Sequence, residues 1–275
     1  MARLSLKVQS QAGLVSAEGA LAGIHKSPNE AFTLRLQRFL GRLCLLPIGG
    51  IIIGLMRWRA GYRVLKHQEI RQQFRDIALS KQPLLVCSNH LTMIDSVILM
   101  WALASIGCYA CNYRLFCWNL PAAENTKKKK SWRFVTYISK CILVDRLGDT
   151  EHTNSILDTV CGLLRRGDLV MLFPEGTRSR SGRVDLESVT YGVGKILQEI
   201  PDCQVLCAYL RGAGQETYSD FPKRNEVFSV ELEVMKPESN HSGLRGARDQ
   251  SRQVIAKLKE MEDRHFAAFE TRDDR

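Results

Sequence analysis

Two short stretches of the chain gather side chains able to do chemistry. The first reads Ser-Asn-His-Leu-Thr-Met-Ile-Asp over residues 88–95, between two apolar runs. Histidine ionises near neutrality, and it works best as a base when a carboxylate holds one ring nitrogen and leaves the other open. Asp95 falls in the first turn of an expected helix, spaced to fold back onto Nδ1 of His90 and leave Nε2 as the base. An aspartate that merely caps its helix beside an ordinary loop histidine has the same spacing, so the pair alone leaves both readings open.

The second stretch, Phe-Pro-Glu-Gly-Thr-Arg-Ser-Arg-Ser-Gly over residues 173–182, again follows an apolar run. Pro174, Gly176 and Thr177 shape a turn with backbone amides to spare, and Arg178 and Arg180 offer forked donors to a phosphate. Glu175 is placed to orient Arg178 or a substrate. A basic surface turn is the plain alternative. A nucleophilic serine is disfavoured, because Ser88 and Asn89 are neighbours on a strand and point to opposite faces, and no Gly-x-Ser-x-Gly elbow occurs.

The elements that must position these stretches alternate between strand and helix from residue 60 onward, the pattern of an α/β domain with a mostly parallel sheet covered by helices. Residues 62–67 read as a strand, and Ile70, Phe74 and Ile77 mark one face of a helix. Residues 84–89 form a buried strand that ends at the histidine, and the apolar run from Ile94 forms a buried helix behind it. Ile156, Leu157, Val160, Leu163 and Leu164 recur at helical spacing, with Asp149 or Thr150 to cap and Gly167 to stop them. Strands follow at residues 169–173 and 204–210. The alternation of Val230, Leu232 and Val234 with glutamates predicts a half-exposed edge strand, and a charged helix closes the chain from about Leu244. Both chemical stretches thus sit at carboxyl ends of strands, where sites in open α/β sheets form.

The 275 residues carry a formal net charge of +10, with a pI near 9.3, which implies an anionic partner. No reading helix, zinc framework or stacking motif of a nucleic-acid module is present, so a bilayer or a phosphate is favoured. The nine cysteines are scattered in apolar surroundings and read as core thiols of a reducing compartment. Cys108 and Cys111 form a lone pair with no partner pair, and no metal is expected. Residues 1–30 are a polar tail without the features of a secretory signal. Residues 31–59 contain the uncharged run 43–56, closed by Arg57, Trp58 and Arg59. Fourteen apolar residues interrupted by Pro47 and Gly49–Gly50 fall short of the roughly 20 that a spanning helix needs. An in-plane or re-entrant anchor is expected, with a buried core helix as the alternative. The basic residues 127–130 are a solvated loop or a membrane-attracting patch. Residues 60–275 make the catalytic domain.

Taken together, the motifs resemble the glycerolipid acyltransferase family, whose members include bacterial 1-acylglycerol-3-phosphate acyltransferases. Its Asn-His-x4-Asp block is matched by Asn89, His90 and Asp95, and its Phe-Pro-Glu-Gly-Thr-Arg-Ser block by residues 173–179 without a change. The block ending in a phosphate-binding arginine looks like Ile-Leu-Val-Asp-Arg, which makes Arg146 its counterpart. The likeness covers roughly residues 60 to 236. The fourth block falls on residues 204–212 but lacks its proline, and the stretch from Tyr113 lacks the usual Lys-Glu-Leu segment. Both departures lie where acceptor or acyl chain is expected.

The resemblance implies that His90, oriented by Asp95, deprotonates a lysolipid hydroxyl. That hydroxyl then attacks the thioester of acyl-CoA or acyl-carrier protein without a bound cofactor. Arg146, Glu175, Gly176, Thr177 and Arg178 are implied to bind substrate. The acceptor is expected to be 1-acylglycerol-3-phosphate, with a lyso-ornithine or other aminolipid as the alternative. A catalytically idle basic membrane-binding protein is the reading of another class. The expected location is the cytoplasmic face of the inner membrane, against anionic lipid.

Overall fold

The computed structural model describes residues 28–80, 82–126, 130–145 and 148–273. Two compact units divide the chain, Met1–Gln37 and Arg38–Arg275, and the sheet lies wholly in the second. The expected polar tail lies outside the described residues except for 28–30, which already form the first turn of a helix.

That helix, α1 (Pro28–Gly54), continues into a π-helical turn at Leu55–Arg59. Pro47 and the glycine pair, expected to weaken the segment, lie inside one continuous helix. A proline removes one backbone donor, and the turns on either side of Pro47 keep the helix intact. Over Phe32–Arg59 the segment is 28 residues long, which by length and composition suffices to cross a membrane. At about 1.5 Å per residue it exceeds the ~30 Å hydrocarbon thickness.

Then follow β1 (Arg63–Val64), α2 (His67–Ala78), β2 (Leu84–Ser88), α3 (Asp95–Leu103) and α4 (Ile106–Cys111). Next come β3 (Trp118–Asn119), α5 (Ala123–Thr126), α6 (Lys130–Ile138), α7 (Thr150–Arg165) and β4 (Val170–Leu172). The chain ends with α8 (Gly192–Glu199), β5 (Gln204–Gly212), β6 (Val227–Met235) and α9 (Gly243–Asp273). The six strands form one sheet in the order β1-β6-β5-β2-β4-β3. β3, β4, β2 and β5 run parallel, and β6 turns antiparallel to β5 and carries β1 parallel to itself. The expected α/β class with a mostly parallel sheet is therefore present.

Several predicted elements appear almost as read. β2 is buried along its whole length, and seven of the nine residues of α3 are buried behind it. Asp149 caps α7 by accepting from the His152 amide, and Gly167 adopts a positive φ just beyond the helix. The predicted edge strand, β6, is instead interior in order, because β1 pairs with its beginning. β1 contributes only two residues: the chain reverses at Lys66, in the left-handed region, and α2 starts at once. Val86 and Leu206 on the central strands pack with Ile98, Leu99 and Leu103 in one cluster, all at zero exposure. Fully burying side chains of this size is worth about 1.5–3 kcal/mol each.

The expected core thiols are only partly so: Cys87, Cys117, Cys161, Cys203 and Cys207 are buried, whereas Cys111 is exposed because it ends α4 at the surface. Gly194 permits the close approach of α8 and α9, since a Cβ there would meet the Ala247 carbonyl oxygen at 1.8 Å. A buried ionic group ties the β3 side of the sheet to α1. Lys140 Nζ donates to the carbonyls of Phe116 (2.7 Å) and Tyr113 (3.1 Å) and approaches Asp168 Oδ1 at 3.5 Å. Asp168 also accepts from Arg38 of α1. Burial, opposed by Asp168, pulls the Lys140 ammonium down to about 8.

Candidate active site

β2 delivers Asn89 and His90 to the carboxyl edge of the sheet. The Asn89 side chain is buried and spans to β5, donating to the Leu210 carbonyl (2.9 Å) and accepting from the Leu210 amide (2.8 Å). It continues the ladder where the main chain of β2 leaves it, so Asn89 acts as a clamp.

His90 Nδ1 lies 3.1 Å from Asp95 Oδ2. The same oxygen accepts from the amides of Leu91 (2.6 Å) and Thr92 (2.7 Å), and Oδ1 accepts from the Thr92 hydroxyl (2.5 Å). A carboxylate surrounded by donors accepts from the ring as well, which puts the proton on Nδ1 and leaves the lone pair on Nε2. Of the two sequence readings the capping one is not realised: Asp95 is the first residue of α3, its carboxylate turns back to amides that precede the helix, and the helix start has no side-chain cap, so what Asp95 holds is the histidine and its turn. The ring stacks on Phe173, with centroids 4.1 Å apart and planes 20° from parallel.

The second motif meets the first through main-chain bonds. The Ser179 amide donates to the His90 carbonyl (2.9 Å), and the His90 amide donates to Glu175 Oε1 (3.3 Å). Glu175 is buried, and its other oxygen, Oε2, has no hydrogen-bond partner among the described residues. Burial raises its carboxyl to about 7, against a lowering by the His90 amide. Gly176 turns the chain with φ +71, and a Cβ there would meet Thr190 Cγ2 at 2.6 Å. Arg178 Nη1 donates to the Ser219 carbonyl (3.0 Å) and to Asp220 Oδ1 (2.8 Å), with the guanidinium 5.6 Å from the Tyr218 ring centre.

His90, Glu175, Gly176, Thr177 and Arg178 all line one cavity of about 860 Å³. That volume lies within the ~300–1,000 Å³ of small-molecule sites. From the histidine it extends between the inner face of α1, at Leu45, Ile48, Ile52 and Met56, and the side chains of Val97, Met100 and Trp101. The walls are mostly apolar, with Ser96, Asn119, Thr136 and Ser139 among the polar side chains that also line them. Arg146 lies outside the described residues, as do residues 127–129. Among the described residues no group of three or more potential metal ligands occurs.

A histidine with a fixed tautomer, a buried carboxyl and an arginine lining a mostly apolar cavity suit deprotonation of a hydroxyl on a lipid-like substrate. The family model described as Acyltransferase matches residues 63–210. The chain belongs to this acyltransferase family. No curated protein matches the acyltransferase chain. Among solved structures it is similar to the 1-acyl-sn-glycerophosphate (LPA) acyltransferase PlsC from Thermotoga maritima. The identity is 14% and the TM-score 0.43, over 90% of this chain and 89% of that one.

The acyltransferase site also includes parts that the sequence did not advertise. Thr92 and Phe173, both within the two motifs, hold the His90–Asp95 pair from either side, and α1 forms a wall of the cavity. Residues 218–220 brace Arg178, and the Ser219 amide donates to the Leu91 carbonyl (3.1 Å) beside the histidine. Nothing in the composition of that loop marks it. Three other histidines have structural contacts: His67 Nε2 lies 3.0 Å from the Trp101 carbonyl, His152 accepts from the Asp145 amide, and His265 packs near Tyr209.

Proposed function

We propose that this acyltransferase moves a fatty acyl group from a thioester, acyl-CoA or acyl-carrier protein, to the free hydroxyl of a lysolipid. The acceptor favoured is 1-acylglycerol-3-phosphate, giving phosphatidic acid and placing the enzyme in phospholipid synthesis. Nε2 of His90 takes the hydroxyl proton as the oxygen attacks the thioester carbonyl. The new C–O bond forms, the C–S bond breaks, and the proton passes from His90 to the departing thiolate. Asp95 steadies the transient imidazolium, as the buried aspartate does in a hydrolase triad. No covalent acyl-enzyme and no bound cofactor enters this scheme. The apolar cavity takes the acyl chain, and Glu175, Gly176, Thr177 and Arg178, with Arg146, take the polar headgroup.

The observation that carries this reading is the His90–Asp95 pair opening onto the apolar cavity. We also propose that residues 31–59 dock the enzyme on the cytoplasmic leaflet of the inner membrane, against anionic lipid. Phe39, Leu43, Leu46, Ile51, Leu55 and Trp58 are exposed on α1 and its π-turn, and Arg57 and Arg59 flank the tryptophan. His90→Ala should lower acyl transfer to lysophosphatidic acid by about 10²–10⁴-fold while the protein still floats with vesicles. Unchanged transfer would refute the base.

A further inference from the structure

We propose that Asp220 tempers the site's hold on a bare phosphate monoester, which narrows the preference for that acceptor over headgroups that also carry an ammonium group. This rests on the lysolipid acyl transfer proposed above. Among the described residues that line the cavity, Arg178 carries the only fixed positive charge, and that charge is already met by Asp220 at 2.8 Å. Both hydrogen bonds of the guanidinium leave from Nη1, one to the Asp220 carboxylate and one to the Ser219 carbonyl. An arginine fork tied on one side keeps its geometry but offers an incoming anion fewer donors and less net charge.

The carboxylate is not a drifting surface group. Its loop is fastened to the catalytic turn by the Ser219 amide on the Leu91 carbonyl (3.1 Å) and the Met93 amide on the Asp220 carbonyl (3.2 Å). It is fastened to the end of the π-turn region by the Asn225 amide on the Ala60 carbonyl (2.7 Å) and by the Tyr62 hydroxyl on the Pro222 carbonyl (3.0 Å). At 67% side-chain exposure Asp220 remains open to a ligand, whereas Arg178 is more enclosed at 29%. A headgroup with both an anion and an ammonium finds a complementary pair there. A phosphate monoester meets a repelling carboxylate beside the arginine it needs.

The test compares the full-length protein with Asp220→Asn in mixed micelles at fixed pH and salt, using lysophosphatidic acid and a lysolipid with a phosphoethanolamine headgroup. KM for lysophosphatidic acid should fall about two- to fivefold, the scale of an exposed charge interaction. KM for the zwitterionic lysolipid should hold or rise, kcat should change little for either, and the difference should shrink at high salt. A KM that rises for both acceptors would mean that Asp220 only orients Arg178, and would overturn the proposal, as would no change in either. If the unaltered protein acylates no lysolipid, the acceptor reading fails first, and this inference fails with it.

Discussion

Glu175 is the residue whose chemistry differs most from what its type suggests. Its carboxyl is enclosed, accepts from the His90 amide through one oxygen and leaves the other without a partner among the described residues. In the unfolded chain it ionises near 4.5, and in the fold near 7. Between those values the folded protein holds a proton that the unfolded chain has released, so stability falls as pH rises through the window and levels off above it. The full effect is of order 3 kcal/mol. Glu175→Gln removes the titration, and its unfolding midpoint followed from pH 4.5 to 8 should lose that slope. A slope that survives the substitution would assign the titration to another group. Around Glu175 the sequence was legible through two motifs together, since the histidine and aspartate alone left two readings open. What it hid was the packing: Phe173 stacked on His90, Thr92 bonded to Asp95, and the loop at residues 218–220, distant in the chain, holding Arg178.

At the scale of elements, legibility followed the strength of the periodic signal. β2, α3 and α7 are marked by apolar runs or helical spacing, with a cap and a stop, and they stand close to where the pattern puts them. β3, α4 and α5 are too short to carry such a period, α6 was not foreseen although its nine residues are amphipathic, and β1 shrank because Lys66 turns the chain. In α1, local propensity makes Pro47 and the glycines weak points, yet the helix runs on through them. Its seat includes the bond from Arg38 to Asp168, which Lys140 shares from the other side. Asp168→Ala should therefore cost about 3–5 kcal/mol, because it leaves the fully buried ammonium of Lys140 without its carboxylate. Denaturant unfolding measures this. Pairing it with Lys140→Met should recover much of the loss, and equal losses in the single and double variants would deny the coupling.

For the whole molecule, the decisive feature is that α1 is apolar on both sides. Leu45, Ile48, Ile52 and Met56 face the cavity, while Phe39, Leu43, Leu46, Ile51 and Leu55 face outward. Replacing Leu43, Leu46 and Ile51 together by serine or glutamine should release the protein from anionic vesicles in flotation assays without altering the cavity. Transfer to a micellar short-chain acceptor should be kept. Undiminished flotation would place the membrane contact elsewhere. Truncation cannot serve as this test, because removing residues 1–59 would also remove one wall of the cavity.

The two faces of α1 bear on how a fatty tail reaches the histidine at all. Drawing a hydrocarbon chain from a bilayer into water costs about 0.8 kcal/mol per methylene, enough to make extraction slower than many chemical steps for a long tail. With α1 embedded in the leaflet, only the thickness of one helix, about 10 Å, lies between the acyl region of the membrane and the cavity. A tail can slip around or beneath that helix with little wetted length, so turnover would depend on the lateral fluidity of the surrounding lipid more than on the solubility of the acceptor.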